Sequence, residues 1–241
     1  MDSNDVFKKL KSLANPKNVA GMARFGINSK NTLGISIPYL RKLAKELGKD
    51  PSFANLPVGK AGASAGKHQL AQQLWDSGIH EAMILAGMVD DPKLVTEKQM
   101  DLWTSDFDSW DVCDQVCMNL FDKTPLAFQK AKEWAMRDKE FEKRAGFALM
   151  ACLASHDKEA GDVRFAQFFP LIKQAASDER NFVKKAVNWA LRQIGKRNRN
   201  LNKMAIGTAK EILKMDSKIA KWIASDAIRE LTSQAVQKRL T

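Results

Sequence analysis

Three cysteines in 241 residues are too few, and odd in number, to frame a disulfide scaffold. They are read as reduced thiols of a cytosolic protein. No stretch approaches 18 consecutive apolar residues, so no transmembrane helix and no membrane partner are expected. The opening Met1-Asp2-Ser3-Asn4-Asp5 has no basic segment with an apolar run behind it. No signal peptide is therefore expected, and the expected location is the cytoplasm, or the nucleoid in a prokaryote. Sustained period-two alternation between hairpin turns is missing as well, which argues against strands. Cys113 and Cys117 stand four apart with no nearby His or second Cys pair. That is poor zinc spacing, so they are read as core filler and no metal site is expected.

Charge is not lacking. Hydrophobic residues make up 44% and charged residues 28%, which excludes intrinsic disorder and leaves enough chain for one large domain over 1–241. The formal net charge is +11, and a polyanion is the obvious partner. Residues 1–120 hold 14 basic and 14 acidic side chains, whereas residues 121–241 hold 25 basic and 14 acidic ones. The surplus is densest from Arg180 to Lys210, with nine basic residues and no acid. An opposite bias gathers Asp101, Asp106, Asp108, Asp111 and Asp114 in a stretch without Lys or Arg.

The apolar pattern is helical nearly throughout. Ser36-Ile37-Pro38 opens a helix that runs to Leu47 and stops at Gly48. Further helical stretches are predicted at 67–75, 79–89, 94–103, 109–121, 125–136, 141–155, 162–176, 180–197, 200–214 and 218–237. Lys49 to Gly66, rich in Gly, Pro, Ala and Ser, reads as a loop. Short acidic turns at Asp90-Asp91-Pro92, Arg137-Asp138-Lys139, Ser177-Asp178-Glu179 and Met215-Asp216-Ser217 recur at intervals of 47, 40 and 38 residues. Two helices in about 40 residues is the period of HEAT-like repeats, which stack into a curved solenoid with a concave face. An irregular helical bundle is the alternative.

Three helices carry something beyond a core. In 180–197 the core stripe is Val183, Val187, Ala190, Leu191 and Ile194. Helical spacing puts Trp189 off that stripe, beside Phe182, Lys185, Arg192 and Lys196. A large indole among cations needs a cover, either another helix or a nucleic-acid backbone whose phosphates meet the cations. In 109–122, Ser109 is expected to cap the helix, and Val112, Cys113, Val116, Cys117, Leu120 and Phe121 form its core stripe. Trp110 and Asp114, four apart, share the edge of that stripe. The helix N-terminus there favours an ionised carboxylate. In 140–155 every residue from Ala145 to Ala154 is apolar or Gly, so the helix is expected to be buried. Arg144 at its leading end either makes a structural ion pair or reaches along a groove.

Taken in order, these elements resemble the AlkD family of DNA alkylation repair glycosylases. The matching motifs are Gly34-Ile35-Ser36-Ile37-Pro38 with Leu40-Arg41, Ser109-Trp110-Asp111-x-x-Asp114, the Arg144-Ala145 helix and Phe182-x-x-Lys185-Ala186-x-x-Trp189-x-Leu191-Arg192. The resemblance implies one all-α domain of HEAT-like repeats with a concave basic face. It implies excision of N3- and N7-alkylated purines such as 3-methyladenine and 7-methylguanine from double-stranded DNA, without metal, cofactor or deep base pocket. Asp114 would stabilise an oxocarbenium-like sugar and hold the water. Trp110 and Trp189 would lay their faces against the cationic deoxyribose. Arg144 would grip a phosphate, and Lys185, Arg192, Lys196, Phe25 and Phe182 would add DNA contacts. Ser109 stands where some members carry a second Trp, and Phe25 where a Tyr is expected.

Two other functions remain open on this reading. One is a binder of damaged or branched DNA with little excision, and the other is a HEAT-like scaffold whose basic face meets acidic proteins. A monomer is the default expectation.

Overall fold

The computed structural model describes residues 3–49 and 60–240. They form helices joined mostly by short turns, with a longer irregular segment over 24–36 and no strand among the described residues. Their packing gathers into two compact units, Met1–Thr124 and Pro125–Thr241.

In the first unit α1 spans Ser3–Ser12, α2 Pro16–Ala23, α3 Ile37–Lys49, α4 Lys60–Asp76, α5 His80–Val89, α6 Glu97–Ser105 and α7 Trp110–Asn119. A 3-10 turn at Phe121–Lys123 follows. α5 is the hub, with α3, α4 and α7 packed on it and all but one of its residues buried. Gly87 permits the α5–α7 approach, since a Cβ there would meet Val116 Cγ2 at 3.1 Å. Trp75 of α4 stacks flat on Trp103 of α6 at 4.0 Å.

In the second unit α8 spans Ala127–Ala135, α9 Glu140–His156, α10 Asp162–Ala166, α11 Phe169–Gln174, α12 Asn181–Gly195, α13 Arg199–Leu213, α14 Lys218–Leu231 and α15 Gln234–Gln237. α9 packs between α8 and α12, and α12 in turn meets α13 and α14. The expected burial of α9 is observed, with every residue from Arg144 to Ala154 buried. Gly146 sets the closeness of α8 and α9, because a Cβ there would meet the Ala135 nitrogen at 2.3 Å.

The recurring acidic turns fall between helices, as the repeat reading expects. Asp178 accepts from the Arg180 amide at 3.1 Å and pairs with its guanidinium, which also donates to the Asp138 carbonyl. Two successive turns are thereby tied together. These contacts hold the Asp178 carboxyl below its usual range, the hydrogen bond from Arg180 contributing most.

Several local expectations fail: the helix predicted over 162–176 breaks into α10, α11 and a 3-10 turn at Ala175–Ser177, the one over 218–237 into α14 and α15, and the predicted stretches omit α1 and α2. The loop expected over 49–66 is helical from Lys60, so α4 begins seven residues before the predicted 67; residues 50–59 lie outside the described residues. Ala61, Ala63 and Ala65 favour a helix once the 67–76 turns nucleate it, and that outweighs Gly62 and Gly66. Ser109 occupies the cap position of α7, but its hydroxyl makes no capping bond and instead accepts from the Asn28 amide at 2.9 Å.

Candidate nucleic-acid interface

The first unit builds its site at the start of α7. Val112, Cys113, Val116, Cys117, Leu120 and Phe121 are buried, as the stripe predicts, while Trp110 and Asp114 are half-buried on its edge. Trp110 donates its indole N–H to the Phe25 carbonyl at 3.0 Å. Phe25 itself is 72% exposed. The two rings join Met22, Ile27, Ile35 and Ser36 around an open, mostly apolar groove of about 560 Å³. Phe25 and Trp110 are thus brought together by the structure.

The groove wall is held by a residue that sequence reasoning missed. Glu81 of α5 is fully buried. Its carboxylate accepts from the backbone amides of Leu33, Gly34 and Ile35 at 2.8, 2.6 and 3.1 Å. Gly34 has φ of 81°, in the left-handed region, and a Cβ there would meet the Asn15 carbonyl oxygen at 2.2 Å. Glycine and glutamate together fix the Gly34-Ile35-Ser36 segment. A buried acid beside an apolar helix face is the one signal that could have marked Glu81.

Much of the acidic stretch serves structure. Asp106 accepts from the Trp75 indole at 2.9 Å and Asp108 from the Asn28 amide side chain at 2.6 Å. Asp111 meets the buried His80 Nε2 at 2.8 Å. Burial pushes the His80 imidazole down, but the bond and charge of Asp111, with Glu81 and Asp108 behind it, raise it on balance. His80 therefore joins the start of α5 to the start of α7, a link no motif announced.

In the second unit the α12 core stripe is fully buried, while Phe182 and Trp189 are half-buried and Lys185 is exposed. Phe182 stacks on Phe141 of α9 at 5.5 Å. Arg144 is 5% exposed and donates through one guanidinium nitrogen to the Phe182 carbonyl at 2.6 Å. It links α9 to the first turn of α12.

The basic block divides in two. Arg192 and Lys196 both reach Glu230 of α14, at 2.5 and 2.8 Å, and Arg192 also lies 3.6 Å from Asp226. Burial pushes the Glu230 carboxyl up, yet the two cations hold it below its usual range. Arg197 donates to the carbonyls of Ala154, Asp157 and Ala160. Arg199 donates to that of Leu240. Arg180 is taken by Asp178. Lys185, Lys203 and Lys210 stand exposed. A helix-spacing argument groups Lys185 with Arg192 and Lys196, but it could not see α14 and its Glu230.

Among the described residues no group of three or more His, Cys, Asp or Glu is placed to hold a metal ion. No helix among them is long and apolar enough to cross a membrane.

Comparison with curated proteins gives no match. Among solved structures, one is described as belonging to a new family of proteins related to the HEAT-like repeat DNA glycosylases with affinity for branched DNA structures. It matches with a TM-score of 0.72 and 20% sequence identity, over 95% of each chain. The likeness shows the all-α, HEAT-like fold that the repeat spacing anticipated. The family model described as DNA alkylation repair enzyme matches residues 6–231, across both units, and the chain belongs to that family.

Proposed function

We propose that the chain is a DNA glycosylase that excises positively charged N3- and N7-alkylated purines, 3-methyladenine and 7-methylguanine among them. The observation that carries this reading is half-buried Trp110, which lines an open groove, with half-buried Asp114 one turn further along α7, in a chain of the DNA alkylation repair family. We read the two units as halves of one repair domain.

Alkylation makes the purine a cation, so it departs as a neutral base without a general acid. The demand left to the protein is stabilisation of the sugar cation and placement of water. One carboxylate suits that demand, and Asp114 takes it. Trp110 and Trp189 each offer an electron-rich face whose attraction grows as positive charge develops on the sugar. Arg144 is the phosphate contact in this reading, held in place by the Phe182 carbonyl. Lys185 is an exposed phosphate contact, and Phe25 and Phe182 flank the backbone. The chemistry asks for no metal or cofactor.

A second reading is a binder of branched DNA with little excision. It is favoured by the likeness to the protein described as belonging to a family with affinity for branched DNA structures. Incubation with methylated duplex DNA separates the two. The glycosylase reading expects free 3-methyladenine or 7-methylguanine in the supernatant by mass spectrometry. Tight junction binding with no base released would make the second reading correct.

A further inference from the structure

The neutral sum over residues 1–120 hides a segregation. Residues 1–75 hold twelve basic and four acidic side chains, and residues 76–120 hold two basic and ten acidic ones. The first of these segments feeds one face of α3. Leu40, Leu43 and Leu47 are buried. At about 100° per residue, Arg41, Lys42, Lys45 and Lys49 fall within an arc of about 100° on the opposite side. All four are exposed. The helix has one acid, Glu46, which pairs with Lys9 of α1 at 2.5 Å and stands at the edge of the stripe, one turn from Lys42. That bond, with the charges of Lys9 and Lys42, holds the Glu46 carboxyl below its usual range.

Like charges three and four apart on a helix repel, so the Arg41–Lys45, Lys42–Lys45 and Lys45–Lys49 pairs gain from a polyanion that screens them. Lys42 to Lys49 covers about 10 Å of helix axis, the rise of about three phosphates on one DNA strand. Tyr39, 58% exposed, stands beside Lys42 on the wheel. The groove between Phe25 and Trp110 is lined as far as Ser36, one residue before α3 begins. Aromatic rings leading into a row of cations is the arrangement that tracks a nucleic-acid backbone.

We propose that the Arg41, Lys42, Lys45 and Lys49 stripe of α3 is a DNA-contact surface of the first unit, taking the phosphates of a duplex arm that leads away from the Trp110 groove. It is additional to the basic α12 region, and it rests on the reading that the chain binds DNA.

The test is fluorescence anisotropy on a duplex and on a three-way junction, across a salt titration. The variant carries Arg41→Gln, Lys42→Gln, Lys45→Gln and Lys49→Gln. Its affinity is expected to fall about tenfold or more at low salt, with a log–log salt slope shallower by about 2 to 3.5. Its melting temperature should hold or rise, because repulsion is relieved. The double variant Lys42→Gln, Lys45→Gln keeps the test readable should the fourfold one fail to fold, with about half the loss in slope. A control, Lys93→Gln with Lys98→Gln, removes exposed cations from another part of the unit and should leave the slope unchanged. If the stripe variants keep the parent's affinity and slope, the stripe is not a DNA surface, though the parent's own binding still supports the functional reading. Loss of the same size in the control shows a net-charge effect and overturns the local contact. A parent that binds neither DNA overturns both.

Discussion

Trp110 donates its indole N–H to the main-chain carbonyl of Phe25 at 3.0 Å, and that bond ties the start of α7 to the turn after α2. The ring is thereby oriented with one edge engaged and is half-buried rather than lost in the core. Trp110→Phe keeps an aromatic face but removes the donor. Excision of methylated purine is expected to fall about tenfold, with DNA affinity changed less than threefold, since the lost bond is worth about 1 kcal/mol and mainly orients. Single-turnover rates beside equilibrium binding read the two effects separately. Equal rates in parent and variant would show that the Phe25 contact does not position the ring.

Glu81 accepts three backbone amides in a fully buried site, so its carboxylate cannot be replaced lightly. Glu81→Gln turns one acceptor into an NH2 group facing N–H donors. A loss of about 2–3 kcal/mol in unfolding free energy is expected, with the denaturant slope unchanged. Urea unfolding followed by circular dichroism measures it. A midpoint equal to the parent's would mean the amides find other acceptors.

The His80–Asp111 pair makes stability depend on pH in a stated direction. The folded-state imidazole titrates above its usual 6.5, so the protonated form is favoured by folding. The pair's contribution is full below about pH 6.5 and fades as pH rises through the raised value. The stability gap between parent and Asp111→Asn should therefore be widest near pH 6 and narrow by pH 9. A gap that widens with pH would contradict the assignment, and the His80 ring signal in an NMR titration gives the value directly.

Glu230 neutralises Arg192 and Lys196, two cations that the sequence assigns to DNA. Glu230→Gln should release them. If they lie on the DNA path, affinity rises at low salt and the salt slope steepens by about 1–2. If affinity and slope stay as in the parent, both cations belong to the α12–α14 packing alone.

The periodic apolar stripes made the longer helices legible, because burial on one helical face leaves a 3.6-residue mark in the chain, whereas α1, α2 and the break between α10 and α11 went unread. The core residues of α7 and α12 were readable for that reason, and so were the off-core positions of Trp110, Asp114 and Trp189. What could not be read is what lies across from a helix. Glu230 sits 34 residues beyond Lys196, and Glu81 sits 47 beyond Gly34, so neither pairing leaves a local pattern. Arg144 shows the same blindness, since its bond to the Phe182 carbonyl uses a backbone atom that every residue owns. The basic stripe of α3 was hidden by arithmetic, because the acidic stretch that follows cancels it in any count by halves.

The most direct test of the central claim compares the parent with Asp114→Asn on duplex DNA carrying 7-methylguanine. The carboxylate is assigned to the sugar cation and its water, so its loss should lower the rate of base release by about a hundredfold or more. DNA affinity should hold or rise slightly, because a negative charge near phosphates has been removed. Release at the parent's rate by Asp114→Asn would contradict the assignment of the reaction to this carboxylate.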